Sequence, residues 1–348
     1  MNRSKVRVGI LGAARIAPMA LIVPARSVDE VEVACVAARE RPRAEAFARK
    51  HKIPGVAGSY DELLSDDAID AVYNPLPNAL HAAWTIRALE AGKHVLCEKP
   101  FTSNEEEARA VAAVASRTEL VAMEAFHWRY HTLAERMRAV IQSGELGKVR
   151  RIETQMCVPL PLPGDIRYRL DLAGGATMDT GSYAVSMLRH LASAGQPGAS
   201  PGALADEPTV VRAEARLSSP GVDRWMSAEV RFDDGRTGSL TCSLWSSALL
   251  QIRARVVGDL GTMDVFNPVA PQLYHHLTVT SRSGKRRERV DRVPSYTYQL
   301  RAFAAAVLRG TPIPTGADDA VKNMRVIDAV YRAAGLPLRG VPAAASRR

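Results

Sequence analysis

The chain has 348 residues, 47% of them hydrophobic and 24% charged, and a formal net charge of +9 at pH 7. That balance describes a packed globule of about two domains and excludes a low-complexity or disordered chain. No apolar run approaches the roughly 20 residues of a membrane span, and the basic residues are scattered without aromatic interleaving, which argues against a nucleic-acid platform. Cys35, Cys97, Cys157 and Cys242 form no Cys-x-x-Cys pair, so buried free thiols are expected, with no disulfide and no metal. Met1–Arg7 is polar and basic with no leader pattern, and the expected compartment is the cytoplasm.

Lys5–Leu11 reads as a strand, and Gly12-Ala13-Ala14-Arg15-Ile16-Ala17 turns into a helix whose start Pro18 marks. A glycine turn between a first strand and its helix lets the backbone approach a pyrophosphate. The pattern here is Gly-x-Ala-x-x-Ala, with Gly9 earlier on the strand; Ala14 replaces a fingerprint glycine and predicts a slightly wider turn. Val31–Ala37 is the second strand. Its end meets the adenosine ribose in a dinucleotide fold, where an acid selects NAD and an Arg suits the 2′-phosphate of NADP. The run Ala37-Ala38-Arg39-Glu40-Arg41, with Arg43 beyond, favours NADP through Arg39; a one-residue shift would make Glu40 a ribose ligand and NAD the cofactor.

The alternation continues through a helix over Pro42–His51, a short strand or turn at Gly55–Ser59, a helical turn over Tyr60–Leu64 and a strand over Ala68–Tyr73. Pro75 and Pro77 stiffen the loop Asn74–Asn78. A helix over Asn78–Ala91 follows, capped by Asn78 or Asn74, with Leu80, Trp84, Ala88 and Ala91 as its apolar stripe. The fifth strand, centred on Val95–Cys97, runs into Glu98, Lys99 and Pro100. Proline cannot donate to a ladder, so the strand stops there, and Lys99 stays extended at a carboxyl end, where open α/β sheets bind ligands. From these residues alone Glu98–Lys99 reads either as part of such a site or as a solvated charge pair at a strand end. Ser103–Glu106 is a capping box that opens the next helix, and Leu120–Phe126 is the sixth strand. Repeated β-α units imply a parallel sheet with helices on both faces.

Beyond about Ala125 the texture changes. A helix over Thr132–Ser143 precedes β-rich runs at Val149–Cys157, Thr209–Leu217, Trp225–Phe232, Thr237–Leu244, Gln251–Val257, Thr262–Val265 and Leu277–Thr280. Asp233–Gly235 and Asp259–Gly261 are hairpin turns, and the basic run Lys285–Arg289 is a strand edge or hairpin. These runs describe a large, mostly antiparallel open sheet, closed by helices at Leu300–Leu308 and Ala317–Ala334. The expected fold is therefore an α/β Rossmann domain, residues 1–123, an α+β domain, residues 124–340, and a tail, 341–348. Within the second region, Gly174–Tyr183 is a glycine turn feeding a helix. Asp179 and Tyr183, four apart, share a helix face, either as a proton-transferring tyrosine with its orienter or as a capped helix with a core tyrosine.

Taken together, Gly9–Ala17, Tyr73–His81, Cys97–Pro100, Glu124–His131 and Gly174–Tyr183 resemble the glucose–fructose oxidoreductase, inositol dehydrogenase and MocA family. The branch the chain resembles most contains dihydrodiol dehydrogenases and NADP-dependent xylose dehydrogenases, which carry Tyr where inositol dehydrogenases have His. The resemblance implies Lys99 beside the nicotinamide ribose and the reacting oxygen, Tyr183 exchanging the substrate proton, and Asp179 orienting substrate or tyrosine. It implies cofactor contacts at Gly9, Leu11, Gly12, Ala13, Ala14, Arg15 and Ile16, then at Ala38, Arg39 and Tyr60. Further cofactor contacts fall at Pro75, Leu76, Pro77, Asn78, His81, Glu98 and Lys99. Trp128, Arg129 and Arg169 would flank the nicotinamide or substrate pocket. The expected reaction moves a hydride between NADP and a secondary alcohol of a sugar, polyol or trans-diol. The expected assembly is a homodimer or homotetramer through the second domain's sheet, with no nucleic-acid or membrane partner. Two rival readings on the same fold are a non-catalytic NADP-binding regulator and a glycosidase-type relative that recycles a held NAD.

Overall fold

Six short strands, β1 (Val6–Leu11), β2 (Val31–Ala37), β3 (Gly55–Ala57), β4 (Ala71–Asn74), β5 (His94–Cys97) and β6 (Ala122–Glu124), are nearly continuous apolar runs. Such runs suit strands covered on both faces. In the computed structural model, which describes residues 4–162, 164–194 and 207–340, they form one parallel sheet in the order β3-β2-β1-β4-β5-β6. The order reverses between β1 and β4, and open α/β sheets take their ligands at such a switch point. The expected tail, 341–348, lies outside the described residues.

The sheet belongs to the first of two units, Met1–Thr102, Glu106–Tyr130 and Val293–Val321. This unit is discontinuous, where the sequence reading has one contiguous N-terminal domain. The physical reason is apolar area. The helix Ser295–Arg309 brings Tyr296, Leu300, Phe303 and Ala304 into the core formed by Ile10, Val36, Tyr73 and Leu96. Each large side chain so buried contributes about 1.5–3 kcal/mol. The chain also covers the edge of β6: Glu124 N–H donates to the Thr315 carbonyl at 2.8 Å, and Met123 bridges Gly316.

The second unit, Ser103–Glu105, His131–Arg292 and Lys322–Arg348, holds an eight-stranded sheet. Its strands are β7 (Val149–Cys157), β8 (Thr209–Ser219), β9 (Val222–Arg231), β10 (Thr237–Ser243), β11 (Gln251–Gly258), β12 (Gly261–Phe266), β13 (His276–Ser281) and β14 (Gly284–Glu288). They lie in the order β14-β13-β12-β11-β7-β10-β9-β8, antiparallel except between β7 and β10. The turns after Phe232 and Gly258 are the two expected hairpins, and the basic run forms the edge strand β14. The buried helix Ser182–Ala194 packs on β7 and β10. All four cysteines are buried, free and on strands.

Two local expectations are corrected. Asn78 opens a 3₁₀ turn, Asn78–Leu80, before the helix His81–Glu90, and neither Asn78 nor Asn74 caps it by a side-chain hydrogen bond. Asn74 instead donates to the His81 carbonyl and to Thr85 Oγ1, both at 3.2 Å. The tighter turn changes the angular step, so the buried face is His81, Ala82, Thr85, Ala88 and Leu89, while Leu80 and Ala91 are exposed.

Candidate functional site

At the carboxyl end of β1 the chain turns at Gly12, whose φ is +97°. A Cβ there would meet Leu76 Cδ2 at 3.1 Å and Tyr60 Oη at 3.6 Å, so the turn, the loop after β4 and Tyr60 close on one another around a residue that has no side chain. Gly12 N–H donates to the Ala37 carbonyl at 2.7 Å, which ties the turn to the end of β2. Leu11 is buried, Ala13, Ala14 and Ile16 are half-buried, and Arg15 is exposed. The helix that follows begins with a wide π turn, Pro18–Ile22. Gly9 lies against Leu63, inside the sheet's cover.

After β2, Ala38 is buried and Arg39 and Glu40 are exposed. Glu40 has extended backbone and precedes the helix Arg41–His51, so it stands at that helix's first turn. Arg43 reaches back to the Ala13 carbonyl at 3.3 Å. Burial pushes the Tyr60 phenol up, and the Arg39 and Arg43 charges oppose it, so these three groups share one neighbourhood with the Gly12 turn. Trp84 meets Tyr60 edge-on at 4.8 Å, with the Arg87 guanidinium 4.2 Å above its ring.

Between β4 and β5 the polar groups interlock. Tyr73 donates to Glu98 Oε1 at 2.6 Å. Burial, followed by the Glu98 charge, holds both the Tyr73 and the Tyr296 phenols above their usual range. Glu98 is thus a buried carboxylate flanked by two neutral phenols, and Lys99 follows it, half-buried. The Lys99–Pro100 peptide bond is cis. His81 sits with Nδ1 2.7 Å from the Pro100 carbonyl and Nε2 2.7 Å from the Leu76 carbonyl. Burial lowers its pKa, with the two carbonyls opposing. Its ring therefore couples the Pro75–Pro77 loop to the segment after Lys99. Asn78 is half-buried at the start of the 3₁₀ turn.

Trp128 and Arg129 lie on a 3₁₀ turn, His127–Tyr130. Trp128 is fully buried, and Arg129 donates to Asp319 Oδ2 at 2.7 Å with both side chains nearly covered. The His127 ring stacks 3.9 Å from that of Tyr296.

In the second unit the Gly174–Tyr183 segment is a wide π turn, Thr177–Gly181, running into the helix Ser182–Ala194. Gly175 has φ +137°, and a Cβ there would lie 2.2 Å from Asp223 Oδ1. Asp223 in turn accepts from Thr177 N–H and Oγ1, both at 2.7 Å, and pairs with Arg339 at 2.9 Å with both side chains fully buried. Arg339 also donates to the Gly174 carbonyl at 2.7 Å, so a buried ion pair clamps the turn that opens the segment. Tyr183 is buried. Asp179 is 19% exposed and accepts from Arg167 Nε at 2.9 Å. Arg169 is exposed and paired with Asp171.

The sequence reading missed Tyr73 and Tyr296 around Glu98, and Arg167 on Asp179. A tyrosine inside the run Ala71–Asn74, just before the loop, is a signal for the first. Nothing local marks the others. Among the described residues no group of His, Cys, Asp and Glu is arranged to hold a metal, and no helix is long and apolar enough to cross a membrane.

The profile of an oxidoreductase family with an NAD-binding Rossmann fold matches residues 6–126, and that of the GFO/IDH/MocA C-terminal domain matches residues 134–264. The chain is 38% identical over 328 residues to an NADP(+)-dependent D-xylose 1-dehydrogenase of Haloferax volcanii, covering 94% of this chain and 96% of that one. It is 32% identical over 241 residues to the trans-1,2-dihydrobenzene-1,2-diol dehydrogenase of Sus scrofa, covering 69% and 68% of the two chains. Among solved structures, the 3-ketoreductase KijD10 of Actinomadura kijaniata, in complex with NADP and TDP-benzene, superposes with a TM-score of 0.83 at 28% identity, covering 94% of this chain and 98% of that one.

Proposed function

The chain belongs to the GFO/IDH/MocA oxidoreductase family, and we propose that it is an NADP-dependent dehydrogenase or reductase acting on a secondary alcohol of a sugar, polyol or trans-diol. One observation carries the reading. The carboxyl ends of β1, β4 and β5 bring the Gly12 turn, the Pro75–Pro77 loop and Glu98–Lys99 to the switch point of a dinucleotide sheet.

The residues fit such a cofactor. Gly12 gives the backbone an approach that a Cβ would fill. Arg39 and Arg43 put positive charge at the end of β2, where a 2′-phosphate is read, and Arg43 braces the turn itself. When bound, NADP supplies the hydride carrier. The chain's own residues then have three tasks. Tyr183 takes or gives the substrate proton, Asp179 orients substrate or phenol, and Lys99 supplies positive charge that favours the deprotonated oxygen. Glu98, held by Tyr73, is a fixed acceptor next to Lys99. The family resemblance and the chemistry of these groups support the assignment. The eight-stranded sheet is the proposed surface of a homodimer or homotetramer, and four buried free thiols suit a reducing cytoplasm.

The test is NADPH formation from NADP⁺ with D-xylose, other aldoses, polyols and a trans-dihydrodiol, set beside NAD⁺. Turnover with at least one alcohol and preference for NADP⁺ is the expected result. Tight NADP⁺ binding with no turnover across the panel would leave the regulator reading instead.

A further inference from the structure

We propose that Arg167 is a positioning residue for the Asp179 carboxylate, braced in turn by Asp165; the inference rests on the role given to Asp179 above. Three hydrogen bonds close a ring. Arg167 Nε donates to Asp179 Oδ2 at 2.9 Å, Gly175 N–H donates to the Arg167 carbonyl at 2.8 Å, and Asp179 N–H donates to the Gly175 carbonyl at 3.1 Å. Arg167 therefore grips the segment twice, with its main chain at the turn and with its side chain at the carboxylate.

Asp165 fixes Arg167 from behind. Asp165 Oδ1 accepts from the Arg167 backbone N–H at 3.0 Å and from its NH1 at 3.1 Å. The Asp165 side chain is 3% exposed, against 38% for Arg167 and 19% for Asp179. The guanidinium, the most exposed of the three, thus bridges a covered carboxylate and the partly exposed carboxylate assigned to the reaction. The Asp179 and Asp165 charges both hold the Arg167 pKa up against burial, Asp179 being the larger cause. A planar guanidinium presents its donors in a rigid fork, so two of its nitrogens hold two carboxylates at a set angle; an ammonium is a single point and does not. If the arrangement were only a stabilising ion pair, the angle at Asp179 would not matter.

The test uses the full chain with NADP⁺ and D-xylose as probe alcohol. It measures kcat and KM for R167Q, R167K, D165N, D179N and R167Q/D179N, with NADP⁺ affinity and melting temperature recorded for each. R167Q is expected to lower kcat roughly 10- to 100-fold with NADP⁺ affinity within about twofold of the unaltered protein. R167K, which keeps the charge and loses the fork, recovers less than half of that loss on a logarithmic scale. In the D179N background R167Q costs nothing further, because both act through one carboxylate. If R167Q fails to fold, R167K and D165N carry the same comparison. The proposal is overturned if R167Q keeps kcat within about twofold while D179N is impaired, or if the losses of the two single variants multiply in the double. Full activity of D179N removes the role of Asp179 and this proposal with it, while the turnover itself leaves the dehydrogenase reading standing.

Discussion

Tyr73, the third residue of β4, donates its phenolic hydrogen to Glu98 at 2.6 Å, so the neighbouring strand of the sheet holds the carboxylate that precedes Lys99. Tyr73→Phe deletes the phenolic hydroxyl alone and takes one donor from a buried carboxylate. A loss of about 1.5–3 kcal/mol is expected, read as a shift in denaturant midpoint. In a Glu98→Gln background the same change should cost clearly less, since the acceptor is then neutral. Equal losses in both backgrounds would show that packing, not the hydrogen bond, sets the effect.

Lys99→Met and Tyr183→Phe each remove one ionisable group and keep most of its volume. Each should lower kcat by about two orders of magnitude or more while NADP⁺ still binds. Steady-state kinetics with a parallel binding titration checks this. Near-normal turnover in either variant ends that residue's assignment.

Arg39→Ala bears on cofactor choice. Loss of a charge-assisted contact to a 2′-phosphate should weaken NADP⁺ by roughly tenfold or more and leave NAD⁺ within about twofold. If instead both cofactors weaken alike, Arg39 serves the helix start and not the phosphate.

The Asp223–Arg339 pair makes a stability prediction. Both side chains are fully buried, and Asp223 also accepts from Thr177 and Tyr331. Arg339→Met leaves Asp223 as a buried charge with neutral partners, at a cost of about 3–5 kcal/mol. Adding Asp223→Asn should recover part of that loss. Melting by calorimetry tests it, and a loss below about 1 kcal/mol would contradict the burial of the pair.

Glu288 supplies a pH dependence. Hydrogen bonds from Arg136, then from Arg286, lower its pKa from 4.5 to about 2. A carboxylate whose pKa falls on folding stabilises the native state above its unfolded value and loses that contribution as pH drops from about 4.5 toward 2. Because the Glu288 side chain is 20% exposed and its Arg136 and Arg286 partners 39% and 38%, screening keeps the contribution to about 1 kcal/mol. The Tm gap between the unaltered protein and Glu288→Gln should be constant near neutrality and close on acidification through that window. A gap that persists at pH 2 would exclude the ion pairs as its source.

Much of the first sheet was legible because its signals are local. Apolar runs such as Val6–Leu11 and Val31–Ala37, punctuated by Gly12 and Pro100, fix strands and the sites at their ends without reference to distant residues. The eight-stranded sheet was legible for a similar reason, through alternation and the turns at Asp233 and Asp259. What was not legible depends on pairing across the chain. Asp319 on Arg129 and Arg339 on Gly174 join segments separated by 190 and 165 residues, and no spacing in one sequence marks such partners. Asn78 misled for another reason: a residue type that favours caps stood where a 3₁₀ turn satisfies the backbone by itself.

The return of Val293–Val321 to the first unit has a consequence for how the protein is made. A ribosome that has released residue 130 has finished all six strands of the parallel sheet, yet Leu300 and Phe303 of its core and Thr315 at the edge of β6 are still to be translated. Until they arrive, the nascent sheet carries an uncovered apolar face and an open edge, the features that invite aggregation. Maturation of the first unit therefore waits on synthesis of the strands of the second, and a fragment cut after Tyr130 should precipitate instead of serving as a stand-alone nucleotide binder.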